Sequence, residues 1–205
     1  DDVKRVEMTA LPSTSYQVTT LIDFNSPVLG TQHASLKSMK EFQSEIAPCR
    51  TFCFLHELEM LIDNNLVKGG DINNAIVVVD KPVTDEEMTR LAKAFGRAKV
   101  EVKSEGYLNN LELRFPNEPA RHKLLDIVGD LALIGYPIKA KIIASRPGHS
   151  TNIDFAKKIK QYIKKNLQLK DVPVYDPAKP AVYNIDYIEK KLPHRYPFLM
   201  VDRII

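Results

Sequence analysis

Between Gln17 and Phe24, Val18, Thr20, Ile22 and Phe24 alternate with other residues, the two-residue period of a half-buried strand, and Asn25-Ser26-Pro27 ends it. The first fifteen residues carry Thr, Ser, Pro and charge without a period and read as a flexible lead-in. Ser38 with Glu41 three residues on has the form of a capping box opening a short helix that stops near Ala47-Pro48. Thr51–Phe54 reads as a short strand and Leu55–Asn64 as a helix. After Gly69-Gly70, the run Ala75-Ile76-Val77-Val78-Val79 is too short and β-branched for a helix. Strand, helix and strand within residues 51–80 make a compact βαβ unit.

Downstream, Thr84 with Glu87 opens a second capped helix reaching Phe95, and a strand follows at Lys99–Ser104. A long helix is expected over 119–134, with Leu124, Leu125, Val128, Leu131 and Leu133 marking its buried side. Lys139–Ser145 alternates as a strand, and Thr151 with Asp154 caps an amphipathic helix over 152–167 that turns Phe155, Ile159, Ile163 and Leu167 inward. The texture then changes. Pro173, Pro177 and Pro180 favour an extended linker over residues 170–183. Asn184–Leu192 reads as a short helix, and the chain stops soon after Pro193-His194-Arg195-Tyr196-Pro197 begins another element.

With 205 residues, 44% of them hydrophobic, the chain has room for one large domain, or for one domain plus a fragment. Its 29 basic and 26 acidic residues leave a net charge of +3, which does not by itself argue for nucleic acid. No apolar run approaches the roughly 18 residues of a spanning helix, and Asp1-Asp2-Val3-Lys4-Arg5 is not a signal peptide, so a cytoplasmic chain is expected. Cys49 and Cys53, with His56 beyond them, allow a zinc-knuckle reading without a matching fourth ligand. Two free thiols in a reducing compartment is the better reading.

The chemistry concentrates in the long helix. His122, Asp126 and Asp130 recur at four-residue spacing, so their side chains form a column along one stripe, while Lys123 sits about 100° round the helix. An imidazole and a carboxylate at that spacing can reach one cation, although a third ligand must come from elsewhere. Asp130, a further turn along, is better placed to orient another histidine than to bind the same ion. His149, in a Pro-Gly-His turn, is the candidate partner. Held by a carboxylate, its imidazole favours the protonated form, which suits a general acid or an oxyanion stabiliser. Such spacing alone also occurs on ordinary surface helices.

The segments His122–Asp130, Arg146-Pro147-Gly148-His149, Arg50-Thr51-Phe52-Cys53-Phe54 and Gly69-Gly70-Asp71 go further. Together they closely resemble the UDP-3-O-acyl-N-acetylglucosamine deacetylases, zinc amidohydrolases of lipid A synthesis, in collinear order over roughly residues 16–168. The resemblance implies an α+β fold, a two-layer sandwich of a β-sheet with packed helices, corresponding to the second of the family's two similar domains over residues 16–169. Residues 51–80 would be the βαβ insert that encloses the acyl chain of the nucleotide-sugar substrate. By the same resemblance His122 and Asp126 are zinc ligands, Asp130 orients His149, and His149 assists as acid or oxyanion stabiliser. Thr51 would help hold the tetrahedral oxyanion, and Lys123 would meet the substrate's phosphate. Phe52, Phe54, Leu58, Ile72 and Val77 would supply apolar walls.

There are departures. The family's third zinc ligand and its glutamate base lie in a Glu-His motif of the first domain, which is missing from this chain. His56-Glu57 reverses that order and falls in the insert. Cys53 stands where many members have glycine, and the stretch at about 81–105 is longer than the commonest form. The end of the chain, residues 184–205, resembles the opening of a hot-dog-fold 3-hydroxyacyl-[acyl-carrier-protein] dehydratase, which implies a bifunctional parent with an acyl-carrier-protein partner. His194 is not catalytic by that resemblance, since the dehydratase's working residues lie beyond Ile205.

Two rival readings stand beside this one. The chain is a binding or structural fragment that neither holds zinc nor catalyses. Alternatively, the basic face of Lys157, Lys158, Lys160, Lys164 and Lys165 meets an anionic surface, and a transient membrane contact fits a substrate with an acyl chain.

Overall fold

In the computed structural model, residues 5–63, 75–94, 99, 101, 106–108, 111–170, 176 and 178–204 are described. The chain is α+β and divides into two compact units, Asp1–Lys160 and Gln161–Ile205. Seven strands occur among the described residues: β1 (Glu7–Pro12), β2 (Gln17–Asp23), β3 (Thr31–Leu36), β4 (Thr51–Phe54), β5 (Ala75–Val79), β6 (Gly106–Tyr107) and β7 (Ala140–Ser145). The helices are α1 (Phe42–Glu45), α2 (Leu55–Asp63), α3 (Asp85–Ala94), α4 (Glu118–Ala132), α5 (His149–Lys170) and α6 (Ile185–Lys191).

The larger sheet has the order β1-β7-β2-β3, with β7 antiparallel to β1 and parallel to β2. Alternation decides its faces. Val18, Thr20 and Ile22 of β2, Ala34 and Leu36 of β3, and Ile142 and Ala144 of β7 are buried on one side. α4 packs there through Ala120, Leu124, Ile127 and Leu131, all fully buried at the spacing of one helix face. Each such leucine or isoleucine contributes about 1.5–3 kcal/mol. The helix opens with Pro119 in its first turn, where a missing N–H costs nothing, and Gly135 in a left-handed conformation (φ 80°) follows its last turn.

The smaller sheet, β4-β5-β6, pairs β4 parallel to β5, as a βαβ unit requires. Its two faces pack differently. Phe54, Ile76 and Val78 cluster with Leu29, while Val77 and Val79 pack with Leu55, Leu58 and Leu91 under the helices.

Several expectations need correction. The expected flexible lead-in contains β1: its own alternation is weak, and the strand exists because the free edge of β7 offers it partners from Ala140 to Ser145. β3 had no sequence counterpart. Ser38 caps a 3₁₀ turn (Met39–Glu41) through the amide of Lys40, so the box does not close on Glu41, whereas Thr84 and Glu87 form the full reciprocal box. Leu133 is exposed, and Ile127 takes the central place on the buried face of α4. α5 starts at His149, three residues before the expected start, with the Thr151 hydroxyl accepting from the amide of Gly148. Lys99 and Glu101 are not in a strand, and the rest of the strand expected there lies outside the described residues. So do Gly69, Gly70, Asp71 and residues 171–175 and 177 of the expected linker.

In the second unit, Asn184 caps α6 by accepting from the amide of Tyr187, and Tyr183 pairs with Ile204 through an isolated bridge. Among the described residues no helix is long and apolar enough to cross a membrane.

Candidate active site

Glu118, His122, Asp126 and Asp130 lie at successive i, i+4 positions along α4, a ladder of polar side chains beside the buried apolar face. Proteins rarely bury carboxylates without partners. Here Glu118 is fully buried, and Asp126 and Asp130 are 7% and 15% exposed, with Lys123 donating to Asp126 and His149 and Asn152 beside Asp130.

The middle rungs hold the candidate metal ligands. His122 Nδ1 lies 3.2 Å from the carbonyl oxygen of Cys49. A carbonyl only accepts, so Nδ1 carries a proton, and in the neutral ring Nε2 keeps its lone pair. That Nε2 lies 3.4 Å from Asp126 Oδ1. Ligand bonds of about 2.0–2.2 Å at a tetrahedral angle put neighbouring donor atoms about 3.4 Å apart, so an imidazole nitrogen and a carboxylate oxygen set in this way fit a zinc ion. Among the described residues, no group of three His, Cys, Asp or Glu converges on one point.

At the C-terminal end of the ladder, His149 Nδ1 lies 2.9 Å from Asp130 Oδ2, and its Nε2 is 3.8 Å from Asp126 Oδ2. The ring is 68% exposed, with the carboxylates behind it. Its place depends on the turn between β7 and α5. Arg146, with φ at 51°, donates its amide to Leu21 and its guanidinium to Asp23 at 2.6 Å. The amide of Asn25 first, and then Arg146, hold the Asp23 carboxyl below the usual carboxylate range.

One helper on α5 was not read from the sequence. Asn152 is fully buried and donates Nδ2 to Asp130 Oδ2 at 2.9 Å, while its Oδ1 has no hydrogen-bond partner among the described residues. The position three residues after His149 was the available signal, since it shares that face of the helix.

Lys123 was expected to sit round the helix from this column. Its long side chain returns at i+3, with Nζ 3.1 Å from Asp126 Oδ2 and 5.5 Å from the centre of the Phe52 ring. Thr51 is exposed at the start of β4. The expected apolar wall divides. Phe52 and Phe54 share one face of the small sheet, joined edge-on by Phe24 at 5.4 and 5.7 Å between ring centres. Leu58 and Val77 are instead buried on the opposite face, because successive residues of β5 point to opposite sides. Ile72 lies outside the described residues. Phe24, 41% exposed and next to Asp23, belongs with the aromatic wall although the sequence reading assigned it only to a strand.

The cysteines do not join this chemistry as ligands. Burial pushes both thiols up to about 11, and the sulfur of Cys49 donates to the carbonyl of Glu45. Glu57 accepts from the amide of Phe54 at the start of α2, which makes His56-Glu57 part of a helix start.

An α+β domain that brings two candidate metal-ligating side chains and a carboxylate-held histidine together has the residue types that metal-assisted hydrolases use. The sequence profile described as UDP-3-O-acyl N-acetylglycosamine deacetylase matches residues 2–100 and 96–161, and the chain belongs to that family. It is 46% identical over 98% of its length to the bifunctional enzyme LpxC/FabZ of Chlorobaculum tepidum, and 45% identical over its whole length to that of Porphyromonas gingivalis. It covers 44% of each of these relatives, so the chain spans less than half their length. The UDP-3-O-acyl-N-acetylglucosamine deacetylase of Chlamydia felis is 41% identical over 65% of the chain and 40% of that relative.

Proposed function

We propose that this chain supplies the histidine–aspartate half of a zinc-dependent active site that removes the acetyl group of UDP-3-O-(3-hydroxyacyl)-N-acetylglucosamine in lipid A biosynthesis. The observation that carries the reading is the continuous run of side chains from His122 through Asp126 to His149 and Asp130, at 3.4, 3.8 and 2.9 Å. The third ligand and the glutamate base belong, on this reading, to the first domain of a longer parent. Residues 170–183 are then its linker, and 184–205 the first part of a 3-hydroxyacyl-[acyl-carrier-protein] dehydratase acting with acyl-carrier protein. The reaction is placed in the cytoplasm, with transient contact at a membrane surface.

His122, through Nε2, and Asp126, through Oδ1, hold the metal. Bound zinc supplies Lewis-acid polarisation and makes water a better nucleophile near neutral pH. His122 is oriented for this by the Cys49 carbonyl. Asp130 keeps the proton of His149 on Nδ1, so a protonated Nε2 can donate its proton to the departing amine or a hydrogen bond to the oxyanion. The Thr51 hydroxyl donates to the same oxyanion. Lys123 balances the charge of Asp126 and offers its ammonium to the substrate's phosphate, and Phe52 with Phe54 receives the acyl chain.

Acetate release by the full-length parent tests the proposal. Chelation is expected to abolish it and zinc to restore it, with His122→Ala and Asp126→Ala losing both bound zinc and activity. Full activity in both variants would overturn the assignment.

A further inference from the structure

The N-terminal rung of the ladder has no role in that chemistry, yet it makes a dense set of polar contacts. Glu118 is fully buried, and its carboxylate accepts four hydrogen bonds. Oε1 accepts from the backbone amide and Nε of Arg50, both at 2.9 Å. Oε2 accepts from Nη2 of Arg50 at 2.9 Å and from the amide of Arg114 at 2.7 Å. Burial alone would raise the carboxyl above its ordinary range, and these donors together outweigh it and hold it below. Arg50 is gripped by both backbone and side chain, and its guanidinium reaches on to the carbonyl of Glu112 at 2.9 Å. Arg114 in turn donates a guanidinium hydrogen bond to the carbonyl of Pro48.

Residue 50 is therefore fixed to the helix from which His122 projects, one turn further on. Its two neighbours are the ones that matter. Cys49 presents the carbonyl that orients His122 at 3.2 Å, and Thr51 carries the candidate oxyanion donor. A backbone carbonyl has no side chain of its own to hold it in place, so its position rests on the anchoring of adjacent residues. Two donors on each carboxylate oxygen leave that anchor little freedom to rotate.

We infer that Glu118 is a positioning residue for the metal site: by clamping Arg50 it sets the Cys49 carbonyl against His122 Nδ1 and holds Thr51 beside the same helix. The inference rests on the proposed zinc site, and it assigns Glu118 no contact with substrate or metal. Partners that orient a metal-ligating histidine typically change metal affinity by about 10–100-fold when lost.

The test uses the full-length parent carrying Glu118→Gln, Arg50→Lys or, as a control, His122→Ala. Zinc affinity is read by chelator competition, and kcat and KM are measured well below the melting temperature of each variant. Glu118→Gln is expected to weaken zinc binding about tenfold or more and to lower kcat by a similar factor, with KM within about twofold of wild type. Arg50→Lys keeps the charge but loses the planar fork, and is expected to move both quantities in the same direction by less. It also provides the readout if Glu118→Gln does not fold. A folded variant with a lowered melting temperature but unchanged zinc affinity and kcat overturns the inference and makes the clamp purely structural. Unchanged zinc affinity in His122→Ala would instead overturn the underlying zinc-site reading, and this inference with it.

Discussion

Asp130 and His149 stand nineteen residues apart in the chain and meet at 2.9 Å, the carboxylate on α4 holding Nδ1 of an imidazole at the first residue of α5. This pairing sets which ring nitrogen faces outward. Asp130→Asn would keep the volume while replacing one acceptor oxygen by a donor, opposed to the donors of His149 and Asn152. In the full-length parent it is expected to lower kcat by roughly 10²–10⁴, the usual contribution of a positioned general acid, with little change in KM or bound zinc. Steady-state kinetics with metal analysis checks this.

The two histidines are expected to separate cleanly. His122→Ala should lose zinc and activity together, whereas His149→Ala should keep zinc and lose only kcat. Calorimetry also bears on the half-site: the chain alone should bind zinc at least about tenfold more weakly than the full-length parent, because two ligands replace three. Equal affinity would contradict the assignment of the third ligand to another domain.

The division of the apolar residues gives a third contrast. Val77→Ala removes buried methyl groups from the core between the small sheet and its helices, and is expected to cost about 1–3 kcal/mol in chemical denaturation without raising KM. Phe52→Ala acts on the partly exposed face beside Phe24 and Lys123, and is expected to raise KM for long-chain substrate with a smaller loss of stability.

The Glu118 carboxyl is lower in the folded protein than its ordinary value of about 4.3. The unfolded chain therefore binds this proton more readily. Its contribution to stability is present above pH 5 and is lost as the pH falls through the folded value. Urea midpoints measured from pH 6 to pH 3 should fall faster in wild type than in Glu118→Gln, in which this group no longer titrates. Parallel curves would show that the clamp is uncoupled from acid unfolding.

Much of the architecture was legible because short-range chemistry writes it. The alternation of β2, the β-branched run of β5 and the Thr84–Glu87 box act within a few residues, and all three elements form. β1 was missed for the opposite reason. Glu7–Pro12 has little intrinsic preference, and its strand is imposed by the edge of β7, more than a hundred residues away.

The same division runs through the candidate site. Four-residue spacing places His122, Asp126 and Asp130 on one stripe by helix geometry alone, and carrying that count back one step reaches Glu118. Chain order does not say that Arg50 closes on Glu118, that Asn152 supports Asp130, or that Val77 turns away from Phe52. Those are contacts between elements distant in sequence, chosen by packing and by the cost of leaving a buried charge unpaired. The sequence by itself determined the ladder on α4 and its kinship with a deacetylase family, because both lie in local order and residue identity. The tertiary structure alone decided what each rung touches, since hydrogen bonds across the fold depend on the strands and helices that bring their partners within reach.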